Sequence, residues 1–373
     1  MKRIFSPDHD LRGRWSLGDK ANREKRMFSF FGNRVNIQRQ AGLLEIYGKV
    51  GYAEGEKKAL WDLAGHGKAY VDCGQILAKG CDKVHQHESG KVYGRYFKKN
   101  CRRKQCPTCF EGWASAQGER ATIRLASFVV GSEKVESLIY DVKTEMATQQ
   151  RALLHQKLVS ELEILIHSGR MKLIHVVLSP PPDLISDKLN DFLRGRELAY
   201  KIGKERGLDG GASVFHPYRL KCSICGATIS DYKKECSECG ETSFSWFFSP
   251  HFHVVGFGWI ENVKEGYIRD GWVVKNLGIR ESAFWTFQYL LSHAGVSNFN
   301  IHTVTWFGKL AYNMLLHVPV LGAIRELCPL CRAPLMPLVW IGGADRPPPE
   351  PQYDKKNPIL NDFSAEPSDW RCV

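Results

Sequence analysis

The sequence predicts an α+β protein whose strands pair antiparallel and whose cysteine-rich segments bind zinc. Three observations lead there. Short β-branched runs that end at proline or glycine are interspersed with longer stretches of helical apolar spacing. Two of the strand runs flank a pair of CxxC knuckles, which closes them into an antiparallel hairpin. Of twelve cysteines, eight fall in four CxxC pairs, Cys106/Cys109, Cys222/Cys225, Cys236/Cys239 and Cys328/Cys331, which argues for metal and against a secreted disulfide scaffold. With 373 residues, 43% of them hydrophobic, the chain can bury a sizeable core in two or three domains.

Residues 1–67 are rich in charge and glycine, with short apolar clusters at Met27 to Phe31 and Leu43 to Tyr47, and read as a basic arm or accessory segment. Residues 68–168 form a zinc-knuckle and helical region. Cys101, Cys106 and Cys109 are close enough in sequence to face one ion, and Pro107 helps form the tight turn. Cys81 is a candidate fourth ligand, with Cys73 or His87 as alternatives. Apolar residues then recur at helical spacing from Glu111 to Phe128 and from Val135 to His167.

Residues 169–310 carry the candidate chemistry. Lys172 to Ser179 is a β-branched run stopped by Pro180, Pro181 and Pro182, which cannot continue a paired strand. A helix over 183–205 follows, then a strand from Ala212 to Arg219. Cys222, Cys225, Cys236 and Cys239, in an insertion over 220–242, resemble a zinc ribbon. The next strand, Ser249 to Gly258, contains His251-Phe252-His253. Alternate strand side chains share a face, so the two imidazoles project together while Phe252 enters the opposite layer. Two imidazoles suit a transition metal and leave positions open for a substrate oxygen. A ribbon-capped hairpin brings His216 beside them as a third ligand.

A short strand at 271–274 precedes a helix from Glu281 to His293, on which Tyr289 and His293 are four apart and share a face. A further strand runs from Asn300 to Trp306. Residues 311–341 are an apolar segment carrying Cys328 and Cys331, whose metal-binding mates are expected to be Cys73 and Cys81. Residues 342–373 read as a proline-rich, disordered tail.

The formal charge of +12 favours an acidic partner, nucleic acid first, and ten Trp with thirteen Tyr fit a groove that stacks unpaired bases. Gly65-His66-Gly67-Lys68 lacks the glycine spacing and the Ser/Thr of a phosphate loop, so no nucleoside triphosphate site is expected and strand opening would depend on supercoiling or a host helicase. No apolar run reaches membrane-spanning length and the start has no signal-peptide character, so an intracellular, cytoplasmic protein without a membrane partner is expected.

The order of His175-Val176-Val177-Leu178-Ser179-Pro180, His251-Phe252-His253 and Tyr289 resembles the HUH endonucleases, specifically the rolling-circle replication initiators of archaeal plasmids and viruses. The family usually draws a third ligand, often Glu, from the strand before the paired histidines, where this chain offers His216. The resemblance covers about Lys172 to Trp306. It implies a ferredoxin-like antiparallel sheet and a catalytic Mn²⁺ or Mg²⁺ on the histidines, while the cysteine spacing itself predicts structural Zn²⁺, one to three ions. It also implies that Tyr289 attacks single-stranded DNA at a replication origin to give a 5′-phosphotyrosine. Relatives carry Lys near the nucleophile where this chain has His293, which would contact the phosphate or orient Tyr289; Tyr312 is the second candidate nucleophile. A transposase or relaxase of the same superfamily, and a non-catalytic zinc-ribbon DNA-binding protein, are the alternatives.

Overall fold

The computed structural model describes residues 60–182, 184–186, 188–229, 235–297, 301–343, 347–352 and 360–373. Most of the basic arm expected at 1–67 therefore lies outside the described residues. Among these residues the fold is α+β, and its two larger sheets are antiparallel throughout. No helix among them is long and apolar enough to cross a membrane.

The first sheet contains β4 (Ile174–Ser179), β5 (Leu208–Cys222), β6 (Phe244–Gly258), β7 (Val273–Ile279) and β9 (Val304–Gly308), in the spatial order β7-β4-β6-β5-β9. Helix α4 (Leu189–Glu205) joins β4 to β5, α5 (Val263–Asp270) joins β6 to β7, and α6 (Ala283–Ser292) follows β7. The sequence reading missed α5. It is a single short helix, closed by Gly271 in the left-handed region at φ 72°, whose one buried residue is Gly266 while Tyr267 and Ile268 are exposed, so no apolar face repeats along it.

Cross-strand partners share a face, and the register sorts this sheet into two layers. Val176, Leu178, Phe215, Phe252 and Val254 lie on one face, where they form a buried cluster with Phe192, Ala199 and Ile202 of α4. His175, His253, His251 and His216 lie on the other, because His216 pairs with His251 and Val177 and Val214 pair with His253. That second face is covered by α6 and by α1 (Phe110–Val130), whose Phe128 meets Phe257 of β6 at 5.4 Å between ring centroids.

The stretch from Val135 to His167, expected as continuous helix, breaks into α2 (Ser132–Glu145) and α3 (Arg151–Ser168). Buried Glu163 of α3 caps the start of α6, accepting from the Ser282 hydroxyl at 2.8 Å and from the backbone N–H groups of Ala283 and Phe284 at 3.1 and 2.8 Å. A carboxylate there satisfies the orphan donors of a helix N-terminus and complements its dipole, which fixes where α6 begins.

The second sheet joins distant parts of the chain. β2 (Ile76–Cys81) and β3 (Val92–Lys98) form a hairpin, and β10 (Met336–Trp340), β11 (Asp362–Ala365) and β12 (Trp370–Cys372) complete the order β11-β3-β2-β10-β12. This corrects the tail expected to be disordered. Phe363 and Trp370 leave water to pack with Tyr96, Val92 and Leu338, and their strands satisfy backbone groups of β3 and β10. Arg95 on β3 ties the sheet together: it donates to Asp362 at 2.8 and 3.0 Å, to Glu326 at 2.8 Å, to the Tyr93 hydroxyl at 2.7 Å and to the Thr148 carbonyl at 3.2 Å.

Arg95 is 3% exposed. Removing one partner of a buried ion network leaves the others desolvated and unpaired, so Arg95→Ala should lower the unfolding free energy from urea titration by about 3–5 kcal/mol, whereas Arg95→Lys should recover part of it.

Candidate metal and tyrosine site

Among the described residues, four groups of side chains bring possible metal-ligating atoms within 4.8 Å of one another. Three are thiolate-rich: Cys73/Cys101/Cys106/Cys109, Cys81/His87/Cys328/Cys331 and Cys222/Cys225/Cys236/Cys239. The fourth is His216/His251/His253.

The ribbon occupies the end of the β5–β6 hairpin, where Cys222 pairs with Phe244. Its closest sulfur pairs, Cys222/Cys239 and Cys225/Cys236, stand 3.5 Å apart. That is far longer than a disulfide and near the ~3.8 Å edge of a tetrahedron built on ~2.3 Å Zn–S bonds.

The other two clusters redistribute the ligands expected from sequence. Cys73, not Cys81, joins Cys101, Cys106 and Cys109. Cys81 sits instead at the end of β2 with His87, Cys328 and Cys331, so the mates of Cys328 and Cys331 are Cys81 and His87 rather than Cys73 and Cys81. The reason is the second sheet. Antiparallel pairing of Gly80 with Met336 carries the end of β2 toward the segment before β10, about 250 residues along the chain. His87 donates from Nδ1 to the Lys91 carbonyl at 2.8 Å, which turns Nε2 toward Cys331 at 3.3 Å and Cys328 at 3.5 Å. This is the tautomer a zinc ligand needs.

Crowded thiols titrate as a unit. Burial pushes the Cys81 and Cys109 thiols up to about 12. Burial also opposes the Cys101 and Cys331 thiolates, yet hydrogen bonds from Arg103 bring Cys101 to about 6, and those from the Ala333 backbone and His87 bring Cys331 to about 7. A backbone hydrogen bond of Cys225 brings Cys222 to about 7. Among four clustered sulfurs only a cation lets all ionise, so these donor sets fit zinc.

The histidine site lies where β5 and β6 are irregular. The register slips by one residue between His216 and Tyr218, so Ser249 and Pro250 of β6 oppose Pro217 alone. Prolines cannot donate to a ladder and are accommodated at such a bulge, which re-aims the neighbouring imidazoles. His216 and His253 stand 4.3 Å apart between ring centroids, His251 and His253 5.1 Å, and His216 and His251 5.4 Å.

Carbonyl partners fix two of the tautomers. His216 donates from Nε2 to the Leu290 carbonyl of α6 at 2.8 Å, leaving Nδ1 as a lone-pair donor. His251 donates from Nδ1 to the Ser249 carbonyl at 2.7 Å, leaving Nε2. Burial, reinforced by the neighbouring histidines, holds His216 and His253 well below the usual range, so both are neutral at pH 7 as a metal requires. The residues present therefore fit a divalent ion.

A second layer behind these ligands, built on His175 of the first motif and on Arg280, was not assigned from sequence. His175 of β4 meets His253, Nε2 to Nδ1, at 2.7 Å, and Arg280 donates to His175 Nδ1 at 2.9 Å. A guanidinium only donates, so His175 carries its proton on Nε2 and passes a hydrogen bond to His253. An ion on His253 Nε2 would reverse that bond, so Arg280 and the ion compete through His175. The available signal was strand pairing: His175 pairs with Val255, which puts it diagonal to His253 on one face. Half-buried Arg219 completes the rim, donating to the Ser179 hydroxyl at 2.8 Å with its Nε 3.4 Å from His251 Nδ1.

His293 ends α6 and stands 6.2 Å from His216 between ring centroids. The half-buried ring of Tyr289 meets His293 edge-on at 5.3 Å, so the tyrosine reaches the histidines through His293. Tyr312 lies elsewhere: its exposed ring covers the Arg124 guanidinium at 4.7 Å, and among the described residues it has no ring contact or hydrogen bond with the histidines.

Comparison with protein-family models, with curated proteins and with solved structures gives no match to this chain.

Two outcomes are expected. Atomic emission should find three tightly held zinc ions per chain, with Cys328→Ser releasing one and leaving two. Burial, then the charge of Arg280, lowers His175 to about 3. The unfolded chain binds this proton below about 6.5 and the fold does not, so stability present above that pH is lost on acidification toward 3. Between pH 7 and 5.5 the wild type should lose about 1 kcal/mol more than His175→Gln in urea titrations.

Proposed function

We propose that this protein is a metal-dependent, single-tyrosine nicking and joining endonuclease of the HUH type, acting on single-stranded DNA to initiate rolling-circle replication. The observation that carries this reading is the convergence of His216, His251 and His253 on the sheet face that α6 covers, with Tyr289 on that helix. The connectivity β4-α4-β5-β6-α5-β7, with β7-β4-β6-β5 as the spatial order, supports a ferredoxin-like sheet around it.

In this reading the Tyr289 hydroxyl attacks the scissile phosphorus. The Tyr–O–P bond forms as the P–O3′ bond breaks, the phenolic proton leaves, and the departing 3′ oxygen takes one up. The product is a 5′-phosphotyrosine and a free 3′-OH that primes synthesis; attack by a 3′-OH on the phosphotyrosine later rejoins the strand. A phenol with a pKa of ~10 is a weak nucleophile at neutral pH, so the electrophile must be activated. A Mn²⁺ or Mg²⁺ ion on the three histidines would polarise the phosphate and offset developing charge. Arg219, half-buried at the rim and held by Ser179, supplies a positive group for a non-bridging oxygen. His293 holds the Tyr289 ring and, within reach of the Ser292 hydroxyl at 2.9 Å, orients the end of α6.

A labelled single-stranded origin oligonucleotide incubated with Mn²⁺ should give a covalent adduct on a denaturing gel. Tyr289→Phe should abolish it and His251→Ala should reduce it at least a hundredfold. Adduct formation that survives Tyr289→Phe would remove Tyr289 as nucleophile; no adduct from wild type across origin sequences would favour a zinc-ribbon DNA-binding protein without catalysis.

A further inference from the structure

The loop that supplies three ligands of the Cys73 cluster is strongly basic. From Lys98 to Lys104 five of seven residues are Lys or Arg and none is acidic. Lys98, Lys99 and Arg102 are exposed, and Arg103 and Lys104 are half-buried. Lys99 pairs with Asp72 at 2.7 Å, whereas Arg102 and Lys68 have no acidic partner among the described residues. Arg102 holds the left-handed region at φ 54°, its N–H donating to the Asn100 side chain at 2.6 Å. An arginine in a conformation that favours glycine is held there by the loop, which makes its position defined. Beside it Tyr70 is 58% exposed and the Arg103 guanidinium lies 3.2 Å from its ring centroid.

This patch is anchored next to the histidine and tyrosine site. The N–H groups of Gly65 and Gly67 donate to the carbonyls of Lys104 and Gln105 at 2.9 and 2.6 Å. The strand before them, β1 (Asp62–Leu63), pairs with β8 (Gly295–Val296), which starts two residues after His293. Helix α1 begins immediately after Cys109 and is tied to α6 by the Gln288 side chain donating to Ser115 at 2.9 Å.

The geometry points to the Cys73/Cys101/Cys106/Cys109 knuckle as the binding surface for single-stranded DNA flanking the scissile phosphate, with Lys68 and Arg102 on phosphates and Tyr70, braced on one face by Arg103, against a base. The inference rests on the proposed function for its ligand. Cations on a cross-linked loop lose little freedom on binding, and an aromatic ring among them meets the π-face of any unpaired base. A duplex keeps its bases stacked inside, so the ring favours a single strand.

The test is fluorescence anisotropy with the full chain and a labelled single-stranded oligonucleotide, over a series of salt concentrations. Two variants spare the fold: Lys68→Gln with Arg102→Gly, where glycine suits the positive φ, and separately Tyr70→Ala. Losing two phosphate contacts should lower the salt slope by about 1.4 and weaken binding about tenfold near ~0.1 M salt. Tyr70→Ala should weaken single-strand binding about tenfold or more, leave the slope unchanged and spare a duplex of the same sequence. Zinc content and melting temperature of both should match wild type. Wild-type affinity and slope in both zinc-replete variants, or tighter binding of duplex than of single strand, would overturn the inference. Adduct formation is scored in parallel: knuckle-dependent binding without adduct supports this surface and sinks the nickase, while adduct with knuckle-independent binding sinks this surface alone.

Discussion

The pairing of β5 with β6 is the constraint on which the rest of the molecule depends. It runs from Leu208 opposite Gly258 to Cys222 opposite Phe244, and its register decides which side chains meet α4 and which meet α6. A slip of one residue would drive His251 and His253 into the layer of Phe192 and Ile202 and turn Phe252 toward α6. The ribbon cysteines close one end of this ladder and the paired prolines at the bulge mark its break. The histidine geometry is thus a property of the hairpin as a whole.

Around it, chemistry and stability pull in different directions. Burial keeps His216 and His253 neutral, which suits an ion and is costly wherever an imidazole must stay unpaired. The structure meets that cost with carbonyls from Leu290 and Ser249 and with His175, so each imidazole of the cluster has a hydrogen-bonded nitrogen. Glu163 acts similarly one shell away, since a desolvated carboxylate is tolerable only because the start of α6 gives it three donors.

What could be read from sequence was what is encoded locally. The HxH pattern, the ribbon spacing and the strand ended by three prolines each specify their own geometry within a few residues, and the hairpin follows from them. The partners of Cys81 could not be read this way. Proximity in sequence favoured Cys101, while proximity in space is set by the pairing of β2 with β10. The strands near the end of the chain were hidden for the same reason: Pro347, Pro348, Pro349 and Pro351 dominate the composition there, yet Phe363 pairs with β3, about 270 residues away, and Trp370 packs into the same core from β12. His175 stood only as the first residue of the strand motif, because its contact with His253 exists only once β4 lies against β6.

The second sheet has a consequence for synthesis on the ribosome. Its first hairpin, with Cys81 and His87, emerges before the whole of the first sheet, while Cys328, Cys331 and three of its five strands come last. For most of translation β2 and β3 therefore present an unfinished edge and half a ligand set. The histidine sheet, whose strands all lie between the two halves, has its full sequence first. A chain cut short before Cys328 would contain every strand of the histidine sheet yet only two of the four candidate ligands, and β2 would lack its partner β10.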